Sequence, residues 1–151
     1  MTDPTPQGAA PRVPVSFATI LLGLLLRVGG VAMLLAIVAA VMPYSWMESV
    51  HRWVGLGEMP GDPIVEYLAR SLSVMYAILG GTLLVASRSV MRMRPLVMYL
   101  GWANIALGIA VIVVSGVAGM PLLWVLGEGP IGVLYGILIL VLCRVGVPRL
   151  G

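Results

Sequence analysis

The sequence has no lysine, one cysteine (Cys143), one histidine (His51) and one phenylalanine, and only 10% of its residues are charged. Each shortage excludes something. A lone cysteine cannot form an internal disulfide, a CxxC redox pair or a cysteine zinc site. Cys143 reads as a small apolar residue near a helix end. His51, with Glu48 three residues earlier, reads as a surface residue rather than a metal ligand. HExxH, Walker, GxSxG and dinucleotide-binding signatures are absent. Ser87 and Ser89 lie among arginines without a base partner. No catalytic residue, metal or cofactor is expected. The nine cations, all arginine, are scattered and give a net charge of +3, which is no footprint for nucleic acid. A water-soluble domain carries about 25% charged residues, and this chain has too few to cover a surface facing water.

What the chain has is apolar length: 60% of its 151 residues are hydrophobic. That composition points to lipid as the solvent. Four Trp and five Tyr suit membrane interfaces, where such rings are enriched. The first twelve residues, MTDPTPQGAAPR, read as a disordered cytoplasmic tail. The apolar run from Val13 to Met42 is too long for a signal-peptide core of about 7–15 residues, so it reads as a retained helix. Pro43 ends it. In the following segment Tyr44, Trp46, Met47, Val50, Trp53 and Val54 recur at three- and four-residue spacings. That predicts a short amphipathic helix in the interface, and GLGEMPGD turns the chain back. The second span starts at Pro63, a favourable first helical position. The uncharged stretch from Pro95 to Gly127 would make a single helix of about 50 Å, too long for a hydrocarbon core of about 30 Å. Gly116, Gly119 and Pro121 divide it, and Pro130 predicts a kink in the last helix.

The expected architecture is therefore all-α: an integral membrane four-helix bundle over residues 13–147. Its spans are about 16–42, 63–87, 95–115 and 121–143, with tails at 1–12 and 148–151. Placing both termini in the cytoplasm puts Arg12, Arg27, Arg88, Arg92, Arg94, Arg144 and Arg149 inside and only Arg52 and Arg70 outside, the positive-inside pattern. A bacterial cytoplasmic (inner) membrane is the expected location.

Helical rise of about 1.5 Å per residue places the polar residues by depth. Arg27 falls near the inner face and is expected to snorkel to the headgroups. Arg70 and Glu128 fall at nearly equal height on different helices, and Glu66 lies one turn from Arg70. The reading is an outer charge cluster of Glu66, Arg70 and Glu128, because a lone charge in the membrane costs about 2.5–3.5 kcal/mol. Asn104 and Tyr135 share the mid-depth and predict an interhelical polar pair. Ser71, Ser73 and Tyr76 extend a polar seam on the second span. Small residues at every fourth position (Ala32, Ala36 and Ala40; Ala77 and Gly81; Gly132 and Gly136) predict close helix contacts.

The segments WMESVHRWVGLGEMP, VEYLARSLSVMYAILGG, RMRPLV and AGMPLLWVLGEGP, between Trp46 and Gly129, resemble an uncharacterised family of small four-helix bacterial membrane proteins. An arginine opening the second helix, then Tyr and Gly and a later Gly-Met-Pro turn, is distantly similar to the DoxX-like group. The resemblance covers more than half of the chain and places Arg70, Tyr76, Gly119, Pro121, Trp124, Glu128 and Gly129 at motif positions. It implies association with quinone-linked or thiosulfate-oxidising membrane complexes, although this chain has no heme-ligand or redox cysteine pair. Three functions follow. The first is an accessory or structural subunit packing with membrane partners or with itself. The second is a DoxX-like quinone- or small-molecule-binding redox-associated protein. The third is a minimal oligomeric transporter.

Overall fold

The computed structural model describes residues 16–147, and all regular structure among them is helical. The terminal tails lie outside the described residues. Six helices follow in order: α1 (Phe17–Leu34), α2 (Ile37–Val41), α3 (Tyr44–Trp53), α4 (Pro63–Ser87), α5 (Arg94–Val117) and α6 (Leu122–Gly146). α1 and α2 together make one span, and α4, α5 and α6 make three more; each is 24 or 25 residues long. At about 1.5 Å per residue that is some 37 Å, enough to cross a hydrocarbon core of about 30 Å. Only 11–28% of the most apolar window of each span is buried. Most of the apolar side chains therefore face outward, an arrangement stable in lipid and not in water. The chain is a small multi-pass membrane protein.

Local chemistry sets the ends. Ser16 caps α1 by accepting a hydrogen bond from the Thr19 amide. α4 opens with Pro63 at its first turn, where the missing N–H is no loss. Between α5 and α6, Gly119 has φ +67, a conformation open to glycine at little strain. α6 runs as one helix that includes Pro130. The first span is interrupted at Leu35 and Ala36, where Ala36, Val38 and Ala39 donate to the carbonyls three residues back.

The spans associate as two antiparallel hairpins. α1 and α2 pack on α4, and α5 packs on α6. Each hairpin closes on glycine. A Cβ added to Gly80 would lie 2.5 Å from the Leu34 nitrogen and 2.6 Å from the Gly30 carbonyl oxygen. One added to Gly136 would lie 2.5 Å from the Gly101 carbonyl oxygen, and one on Gly108 would lie 2.6 Å from that of Gly129. The sequence placed Gly81 in the contact stripe of α4, but nothing lies within 4 Å of a Cβ there. Gly132 sits beside the α5–α6 crossing, 3.4 Å from the Gly108 Cα by the same measure.

The hairpins meet mainly at the end that carries Arg27, Arg88, Arg92, Arg94 and Arg144, here called the basic end. The buried core cluster lies there: Leu22 and Leu26 of α1, Leu83 and Ala86 of α4, Val97 and Leu100 of α5, and Ile139 and Cys143 of α6. The Thr19 hydroxyl donates to the Gly146 carbonyl oxygen at 2.6 Å and ties the start of α1 to the end of α6. Towards the other end the hairpins part. α4 and α5 barely touch, and α2 packs principally on α4.

These contacts make a direct comparison possible. Gly80→Leu must push the α1 backbone away and should destabilise the protein by about 1–3 kcal/mol, whereas Gly81→Leu projects into open space and should be near neutral. Thermal unfolding of the two variants in one detergent measures the difference.

Candidate functional site

Where the hairpins part they leave a half-open cavity of about 340 Å³, lined by all four spans. α1 contributes Gly29, Ala32 and Met33, and α5 contributes Leu107, Gly108 and Val111. The lining is overwhelmingly apolar, and four polar side chains reach it: Tyr76 of α4, Asn104 of α5, and Glu128 and Tyr135 of α6.

Each of the four has a distinct hydrogen-bonding state. Asn104 is only 2% exposed, and its Nδ2 donates to the Leu100 carbonyl at 2.8 Å. Its side-chain oxygen remains an acceptor. Tyr135 donates to the Leu25 carbonyl at 3.2 Å across the hairpin seam, which leaves its oxygen free to accept. Glu128 takes part in no salt bridge among the described residues. Its carboxylate and the Tyr76 phenol face one another at the cavity wall. The cavity thus presents several acceptors and two donors: the second N–H of Asn104 Nδ2, and the Tyr76 hydroxyl, which faces the Glu128 carboxylate.

The predicted pair of Asn104 and Tyr135 shares this cavity, yet the two side chains do not bond to each other. Each finds a backbone carbonyl first. Of the predicted charge cluster, Glu66 and Arg70 come together and Glu128 stands apart. Arg70 Nη2 lies 2.7 Å from Glu66 Oε1, and Nε lies 2.9 Å from the same oxygen. The guanidinium also donates to the Ala40 carbonyl at 2.6 Å and the Met42 carbonyl at 2.9 Å. Those carbonyls belong to the end of the first span, where a helix leaves its last acceptors unsatisfied and carries partial negative charge. With its donors so committed, Arg70 has little left for Glu128, and the hairpins diverge at that height.

The remaining sequence expectations are placed as follows. Ser73 donates to the Ala69 carbonyl at 2.8 Å within its own helix. His51 Nδ1 lies 3.1 Å from the Gly57 carbonyl oxygen, which fixes the turn after α3. The cavity itself was missed by the sequence reading. The signal was the glycine pairs Gly101/Gly108 and Gly129/Gly136, each two helical turns apart, which bring α5 and α6 together along one face.

Arg70→Ala removes four hydrogen bonds, two of them to backbone carbonyls, and leaves Glu66 unpaired. Because the pair is partly exposed, the expected loss is about 2 kcal/mol, read as a lower thermal midpoint and reduced membrane levels. Normal values for both would show that the Arg70 contacts do not hold the first span. In comparisons with known proteins, the chain matches no protein-family model, no curated protein and no solved structure.

Proposed function

We propose that this protein binds a small, largely apolar molecule within the bilayer, in the cavity between its two hairpins. The observation that carries the reading is the cavity: about 340 Å³, within the range of about 300–1,000 Å³ usual for ligand sites. Its few polar groups converge from three helices, and one is a carboxylate in a membrane span. Ionisable groups placed there mark ligand, ion or proton sites by default.

The balance of donors and acceptors narrows the ligand. A quinone presents two carbonyls and needs donors, but most of the cavity's polar atoms accept. A molecule with an amine or another N–H or cationic end satisfies Glu128, Asn104 and Tyr135 together, with its apolar body against Met33, Leu107 and Val111. This favours small-molecule binding over the quinone chemistry implied by the DoxX-like resemblance. The proposal includes the positive-inside orientation, with both termini in the cytoplasm of a bacterial cell. It also places α3 in the headgroup region, where its exposed Trp46 and Trp53 suit an interface.

A second reading, an accessory subunit, is favoured by the weak contact between α4 and α5: a partner's helix would fit that gap. The test uses purified protein with hexylamine and a short-chain ubiquinone as probes, together with an inventory of what co-purifies in mild detergent. Hexylamine should bind, and Glu128→Gln should weaken it about tenfold or more, as expected for a hydrogen bond to a charged group. Preferred quinone binding would contradict the donor–acceptor argument. Binding of neither probe, with a larger membrane complex co-purifying, would favour the accessory subunit.

A further inference from the structure

We propose a second site, at the basic end, for the phosphate group of an anionic membrane lipid; it is independent of the cavity and its ligand. A groove of about 460 Å³ runs between the first half of α1 and the connection from α4 to α5. Arg27 stands on one wall, and Arg88 and Ser89 stand on the other. No carboxylate lines it.

Arg52 has Glu48 at 3.9 Å, Arg70 makes four hydrogen bonds, and Arg94 Nε donates to the Val147 carbonyl at 3.3 Å. Arg27 and Arg88 are exposed and make no salt bridge among the described residues. Arg92 and Arg144 are also exposed and without a salt bridge among the described residues, but of these arginines only Arg27 and Arg88 line the groove. Each guanidinium offers about five N–H donors in a fixed fork that matches phosphate oxygens. Ser87 has committed its hydroxyl to the Leu84 carbonyl at 2.7 Å, which leaves the Ser89 hydroxyl as the nearby neutral donor.

A free phosphate would use only these polar groups. A lipid also uses the apolar side of the groove, where Ile20 and Leu24 are 60% and 55% exposed and lie along the path of an acyl chain. Basic pockets between helix ends bind anionic headgroups in this way. Gly23 keeps the groove open. A Cβ there would lie 3.9 Å from the Ser87 carbonyl oxygen, an ordinary contact, whereas a long side chain would fill the space.

The test is native mass spectrometry of the full chain after incubation in mixed micelles of equal phosphatidylcholine and phosphatidylglycerol. The wild type should retain phosphatidylglycerol preferentially. Arg27→Gln with Arg88→Gln should cut that preference about tenfold or more, while Arg92→Gln with Arg144→Gln, the same change in charge, should leave it within about twofold. Gly23→Leu, which keeps both arginines, should also lower retention by occupying the groove. Thermal unfolding checks that the variants fold; if the double variant does not, Gly23→Leu decides. Unchanged retention in Gly23→Leu or in Arg27→Gln/Arg88→Gln, or equal loss in both double variants, would overturn the site. Displacement of the lipid by inorganic phosphate at constant ionic strength would assign the groove to a soluble anion and overturn the lipid assignment.

Discussion

Close approach of glycine backbones is the contact on which this structure depends. In a bilayer, helix association draws little from the hydrophobic effect, because lipid chains are as apolar as leucine side chains. It comes from packing distance and from satisfied polar groups. Gly30 against Gly80 joins the first two spans, and Gly101 and Gly108 against Gly136 and Gly129 join the last two. Once both pairs are fixed, the hairpins behave as two units with one shared seam. That seam is filled at the basic end by leucine, valine and isoleucine and is left open farther along. The cavity is the geometric remainder of this unequal filling.

The polar groups follow the same logic, since every backbone donor and acceptor in hydrocarbon must find a partner inside the protein. Arg70 donates to carbonyls at the end of the first span. Asn104 spends one of its two N–H donors on a carbonyl of α5, and Tyr135 spends its one donor on a carbonyl of α1. What these bonds leave over defines the chemistry of the cavity: lone pairs on Asn104 and Tyr135, one N–H of Asn104, and the Glu128 carboxylate facing the Tyr76 hydroxyl. The preference for a donor or cationic ligand that we propose rests on how the backbone is satisfied.

The four spans were legible in the sequence because apolar run length and proline position report on them directly. The second span begins at Pro63 as read, and the third and fourth extend only a few residues beyond their expected ends. The Glu66–Arg70 pair was legible because it is local, one helical turn apart. Glu128 was misplaced because rise per residue gives height and says nothing of azimuth, so two residues at one depth can face different neighbours. The small-residue stripe failed by one position on α4, Gly80 for Gly81, since spacing alone does not say which face meets the partner. The cavity was illegible for a related reason: it depends on the divergence of two hairpins, and no single helix encodes that.

The divergence is best measured as distance. Spin labels at Ile20 and Val145, both exposed near the basic end, and at Val41 and Leu123, both exposed near the opposite end, sample α1–α2 against α6 in one antiparallel register. In a Cys143→Ser background in lipid nanodiscs, pulsed electron resonance should give a longer separation for Val41 and Leu123 than for Ile20 and Val145. Equal separations, or a shorter one at the opposite end, would mean a parallel-sided bundle without the cavity and would contradict the account.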